Sequence, residues 1–301
     1  MKNLFDNLGI DESKYTIYEM TIEEYKSDMK YDFVIAEGFI HALDNYREIM
    51  SILESFLNVG GVLTVTCMDV FSMFVEQVKR IICQLYIRNN CVEEVLEDKV
   101  EACKKALGAH QMGSKWASRN VEDWIKDDLI NPAFNNHTIM DFEKAINAVG
   151  EKCVVLGASQ NIFRDLSWYK DLSYNRNELC IREYRQKKYL FLSTEQCEDS
   201  KLESNCDNIE KKLSEMRELS IMLENTDCDW RRIGSDIIMH LHDLENTFEE
   251  LLIYQMTQYI QVAISTMEKI MNNNIFLDQS SVLNNMVGRT QLYISFMKEC
   301  I

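Results

Sequence analysis

The chain has 301 residues with 46% hydrophobic content, enough for a sizeable packed core, and its formal net charge is −17. That balance argues against nucleic acid or an anionic membrane as the main partner, because phosphate recognition relies on clustered cations. The ten cysteines show neither a CxxC pair nor a regular framework, and no apolar run reaches the ~18 residues of a membrane span. A cytoplasmic protein is expected, its thiols acting as small hydrophobes.

In chain order, residues 2–8 read as a helix stopped by Gly9, and YTIYEM (15–20) as a short strand. Phe33-Val34-Ile35-Ala36 is a second strand, broken by Glu37-Gly38. Residues 44–57 space Ile49, Met50, Leu53, Phe56 and Leu57 on a helical period, with Asp44 as N-cap. A turn at 58–61 then leads into the strand VLTVTC (62–67). Strand, helix and strand in this order predict a βαβ crossover in a parallel, doubly wound sheet.

Residues 70–107, 118–125 and 138–150 carry helical patterning, while CVVLGAS (153–159) and KKYLFLS (187–193) read as strands. Residues 194–208 are polar and read as a linker. The domain division expected is therefore 1–193, a linker at 194–208, and a helical region over 209–301. In the last region one long helix is expected over 230–272 and a final helix over 279–299. Ile237, Leu241, Leu244, Phe248 and Leu251 step by four, three, four and three, a heptad seam suited to a bundle or a homodimer.

Residues 31–69 resemble the second half of a class I S-adenosylmethionine-dependent methyltransferase. The resemblance rests on YDFVIAEG, the helix after it, the turn Leu57-Asn58-Val59-Gly60-Gly61 and the strand that follows. It implies an α/β fold: an incomplete Rossmann-like sheet, its last two strands antiparallel. In that family the sheet order is 3-2-1-4-5-7-6, and the cofactor site centres on a glycine-rich G-x-G-x-G turn after the first strand. No such turn occurs in this sequence. Aligned by order, YTIYEM takes the place of the family's third strand, and the first two strands have no counterpart. The chain then corresponds to a truncated reading frame, one part of a split enzyme or a degenerate relative.

By position, the resemblance places Thr21 and Ile22 at the adenine and Ala36, Glu37 and Gly38 beside the methyl-donor end of S-adenosylmethionine. Glu37 reads equally as an acid favoured at a helix start. His41, one turn on, is the candidate base for a small-molecule or protein methyl acceptor, or else a structural histidine. Trp116, Trp124, Trp168 and Tyr169 fall where the family builds its acceptor lid, and core packing is the competing reading. His240 and His242 lie two apart on a helix and so face different ways, which disfavours a metal site. No metal is expected; a homo-oligomer or a complementing subunit is. The alternative function is a non-catalytic scaffold associating through the C-terminal helices.

Overall fold

The computed structural model describes residues 2–92, 95–108, 120–164, 175–192, 200–273, 282–283 and 286–300. A short helix α1 (Lys2–Asn7) opens the chain. Residues 15–20 carry no regular structure and pair with no described strand, contrary to expectation. Their aromatic side chains pack on near neighbours instead: Tyr15 lies 4.4 Å from Phe5 and Tyr18 lies 4.9 Å from Tyr25, ring centre to ring centre.

The crossover forms as the patterning predicts, with β1 (Tyr31–Ala36), α2 (Tyr46–Ser55) and β2 (Leu57–Cys67), and β1 parallel to β2. Asp44 does not cap α2; Asn45 takes that place without a side-chain bond. The expected turn at 58–61 is a bulge inside β2. Tyr31 pairs with Leu57 and Phe33 with Val62, so residues 58–61 loop out opposite Asp32 alone. Gly60 turns there at φ +81°, and a Cβ on Gly61 would stand 2.9 Å from the carbonyl oxygens of Asn58 and Tyr31. Gly61→Ala is accordingly expected to cost about 1–3 kcal/mol. A lowered urea midpoint at unchanged slope is the readout, and an unchanged midpoint contradicts it.

Helices α3 (Val70–Asn89), α4 (Leu96–Leu107), α5 (Val121–Trp124) and α6 (Phe142–Val149) follow, then β3 (Cys153–Ala158). A single π-turn, Ile125–Leu129, extends α5. Of the run read as a strand at 187–193, residues 187–192 are helical: the end of α7 (Arg176–Lys187) and a tight turn, Lys188–Leu192, buried throughout, with Ser193 outside the described residues. A continuous apolar run fits a buried helical turn as well as a buried strand.

The stretch read as a linker is in part the start of α8 (Ser200–Glu224), while its first residues, 194–199, lie outside the described ones. Cys206, Ile209 and Leu213 continue one buried stripe along it. The long helix expected over 230–272 is two, α9 (Trp230–Glu250) and α10 (Tyr254–Met271), broken where Leu252 adopts φ +60°.

The largest correction concerns residues 279–299. Leu292–Lys298 form a strand, β4, where a helix was expected. Leu292, Ile294 and Phe296 are buried while Tyr293, Ser295 and Met297 are half-buried, a period of two. The strand inserts between β2 and β3, antiparallel to both, so the sheet order is β1-β2-β4-β3.

Buried residues on both sides of 193–209 belong to one core cluster, which runs from Ala36 through the helices to Phe296. The heptad seam is also spent internally. Ile237, Leu241, Leu244 and Phe248 are fully buried where α9 lies against α8 and α10, and the Phe248 ring stands 6.4 Å from Phe74. The seam is therefore no surface for a second chain.

Alternation along the strands sends Ala36, Leu63, Val65, Ile294, Phe296 and Val155 into this core. The opposite face carries Phe33 and Ile35, 57% and 52% exposed, beside half-exposed Val62, Thr64, Ser295 and Met297. A doubly wound sheet has helices on both faces; among the described residues no helix covers this one. Its two edges differ as well. The Asn177 and Arg176 side chains bond the β3 backbone at Val155 and Cys153, whereas no described residue pairs with the outer edge of β1.

Candidate functional site

The sheet positions its loops at the carboxyl ends of β1 and β2. Strand β1 ends in buried Ala36, and the chain turns through Glu37 and Gly38, the latter at φ +81°. The Gly38 amide donates to Thr66 Oγ1 on β2 at 2.9 Å, and His41 Nδ1 lies 3.2 Å from the same oxygen. With that oxygen accepting from Gly38, the Thr66 hydroxyl hydrogen is available to His41. Tyr293 on β4 donates its hydroxyl to the Glu37 carboxylate. The Met140 amide donates to the His41 carbonyl, and the Met68 amide to the Met140 carbonyl. The loop after β1, the end of β2 and the strand-like segment before α6 are thus held together.

His41 is 8% exposed, and burial lowers its imidazole from 6.5 to about 4. It is neutral at physiological pH and a weak base. The unfolded chain takes up a proton near pH 6.5 that the native state refuses until about pH 4. This contribution is intact above pH 6.5 and is lost as pH falls toward 4, up to roughly 3 kcal/mol. Urea unfolding of His41→Gln from pH 7 to 4.5 is expected to show a shallower acid loss than the parent; parallel curves contradict it.

Thr21 and Ile22 reach the site by a different route from a strand end. The 18–25 segment is pinned by Asn45, whose amide donates to Glu23 at 3.1 Å, and by the Tyr25 and Tyr31 hydroxyls, 2.8 Å apart. It walls a groove of about 560 Å³ whose lining includes Thr21, Ile22, Phe39, Leu43 and Ile49. That size lies in the range of small-molecule sites, roughly 300–1,000 Å³. Ala36, Glu37, Gly38 and His41 do not line it. Ala36 is buried, Glu37 is bonded to Tyr293 on β4, and Phe39, which follows Gly38 in the chain, is among the groove's lining.

A second cavity, of about 200 Å³, lies outside the carboxyl end of β2, lined in part by Asp69, Asp141, Lys144, His137 and Arg217. Asp69 caps α3 by accepting from Phe71 N at 2.7 Å, and Tyr184 donates its hydroxyl to the other carboxylate oxygen. Burial raises Asp69 to about 7 against those two bonds, with the nearby Asp141 adding to the rise. Asp141, capping α6, is also raised by burial. Burial lowers Arg217 to about 10, and its guanidinium donates to the Asn136 carbonyl. This grouping is absent from the sequence reading. Its one local signal is an acid directly after a strand and before a helix, as in Cys67-Met68-Asp69.

Of the aromatic candidates, Trp124 lies against buried α3, with Lys79 Nζ 5.1 Å from its ring centre. Trp116, Trp168 and Tyr169 lie outside the described residues. His242 Nδ1 stands 3.0 Å from its helix neighbour Glu245, and His240 faces Glu215 on α8. Among the described residues no three His, Cys, Asp or Glu side chains gather in a way that could hold a metal. Among them too, no helix is long and apolar enough to cross a membrane.

The chain is similar to the malonyl-[acyl-carrier protein] O-methyltransferase 2 of Ilyobacter polytropus, with 27% identity over 184 residues. The match covers 59% of this chain and spans 62% of that relative's length. No family model and no solved structure matches the chain. The similarity and the mixed four-stranded α/β sheet support a methyltransferase-like protein.

Proposed function

We propose that this chain is the acceptor-side part of an S-adenosylmethionine-dependent methyltransferase with a Rossmann-like sheet. One observation carries the reading: the order β1-β2-β4-β3 with β4 antiparallel to its neighbours. It coincides with the 4-5-7-6 portion of the order 3-2-1-4-5-7-6. The helices α8 to α10 are then an insertion between the last two strands of that order.

The residues present suit part of the cofactor. Ile22, Phe39 and Leu43 offer apolar walls to a flat aromatic base, and the Thr21 hydroxyl offers a polar edge. Ala36, Glu37 and Gly38 belong beside the sulfonium, where a carboxylate favours positive charge. When bound, S-adenosylmethionine supplies an electrophilic methyl group. The chain's own residues orient the acceptor and exclude water, and transfer needs chiefly alignment. His41, a weak base tied to Thr66, serves in this reading to set the loop at 36–41. The acceptor class stays a small molecule or a protein; the relative's name gives malonyl-[acyl-carrier protein] as what that enzyme acts on. The scaffold alternative loses one ground, because the helical seam on which it relied is buried.

Ultraviolet cross-linking of the full chain with methyl-tritiated S-adenosylmethionine captures even a weak complex. Label on a peptide within residues 18–43, competed by S-adenosylhomocysteine and reduced in Ile22→Asp, is the expected result. No competable label at millimolar ligand sinks the reading.

A further inference from the structure

The last turns of α3 border a cavity of about 510 Å³, within the range of small-molecule sites. Arg88 stands eighteen residues beyond Val70, so at about 1.5 Å per residue it lies roughly 27 Å along the helix from its start after β2. The cavity shares no lining residue with the groove at 18–25. Three cations line it, Arg80 and Arg88 from α3 and Lys99 from α4, against one acid, Glu224. In a chain of net charge −17 this is a local reversal of sign.

Helix capping accounts for part of the grouping. Arg88 donates to the carbonyls of Leu223, Glu224 and Thr226 at 3.0–3.3 Å, closing the carboxyl end of α8. Arg80, 1% exposed, holds the Glu224 carboxylate through Nε at 2.5 Å. The cap leaves charge over. Among the described residues Arg88 meets only carbonyls, so no carboxylate neutralises it there. Lys99 reaches the same space from α4, an element apart from that helix end. A guanidinium also has more N–H donors than these bonds use. Cations gathered in a cleft with apolar walls focus the field and concentrate anions.

We propose that this cavity binds a small phosphate monoester carrying a flat ring, with the phosphate at Arg88 and Lys99 and the ring beside Trp230. Guanidinium forks match phosphate oxygens, and an ammonium adds a point charge. Ile87, Val92 and Ile130 supply apolar wall. Trp230, with the Arg231 guanidinium 4.4 Å from its ring centre, adds an indole against which a ring can stack. A bare inorganic anion leaves that wall unused, and a neutral ring leaves the charge unmet. A nucleic-acid strand is repelled by the acidic chain around the cavity, whereas about 510 Å³ suits a molecule the size of a mononucleotide.

The inference rests on this cavity alone, so failure of cofactor labelling sinks the methyl-transfer reading and leaves this one standing. The test uses the full chain with AMP as probe, and adenosine and inorganic phosphate as its two halves. Cys91 lines the cavity and is exposed, so its alkylation, followed by peptide mass, reports occupancy at this site. Millimolar AMP is expected to slow that alkylation several-fold, and either half at the same concentration to do little. Ile22→Asp, in the other groove, is expected to leave the protection unchanged. Lys99→Glu, half-buried on α4, is expected to keep the melting profile and weaken AMP at least about tenfold by titration calorimetry. Lys99→Gln is a milder second variant with an effect in the same direction. No protection of Cys91, or protection indifferent to both Lys99 variants, overturns the inference. Equal protection by adenosine overturns the phosphate assignment, and equal protection by inorganic phosphate overturns the ring.

Discussion

Replacing Phe296 with alanine is expected to destabilise the protein by about 3–5 kcal/mol, a large fraction of the stability of an ordinary domain. The side chain is fully buried on β4, an inner strand, where its backbone pairs with Leu63 on one side and Val155 on the other. Nothing nearby can close over the gap without shifting both neighbouring strands, so the cavity term adds to the lost transfer energy. Calorimetry of Phe296→Ala beside Phe296→Leu separates the two. The leucine variant keeps most of the volume and is expected to lose under half as much. Equal and small losses would mean that β4 is not an inner strand.

The second large effect is electrostatic. Glu76 and Lys79 on α3 are both 1% exposed and stand 3.2 Å apart. Glu76 also accepts from the Gly288 amide at 2.9 Å, and Lys79 donates to the Met286 carbonyl at 2.6 Å. The pair thus ties the approach to β4 onto the central helix. Glu76→Leu strands a buried ammonium and frees the Gly288 amide, a loss of about 3–5 kcal/mol. In Glu76→Leu with Lys79→Met no charge is left unpaired, and most of that loss is expected to return. Guanidinium unfolding of the two variants decides it; a double variant as unstable as the single one contradicts the account.

What the sequence revealed follows from how local each signal is. Strand β1, helix α2 and the body of β2 are neighbours in the chain, and their periods name them. YLFL (189–192) is apolar at every position, so no period separates a strand from a buried turn there. LYISFMK does alternate, but it follows a long helical stretch, and its partners lie 231 residues away in the Thr64–Ser295 pair. The same distinction divides the site. The loop at 36–38 is legible because it ends a strand. Asp69, Asp141 and Arg217 share no spacing, and only the fold gathers them around one cavity, with Tyr184 bonded to Asp69.

The placement of β4 also dictates the timetable of synthesis. Strands β1 and β2 leave the ribosome early, yet the sheet cannot close until residue 298 has emerged, more than two hundred residues later. At about 5–20 residues per second, the inner edge of β2 waits ten seconds or longer with its backbone unpaired. During that interval the nascent chain is a target for chaperones and for wrong strand partners. A ribosome stalled well after β2 but before residue 292 therefore holds a chain with helices and a crossover but no finished core.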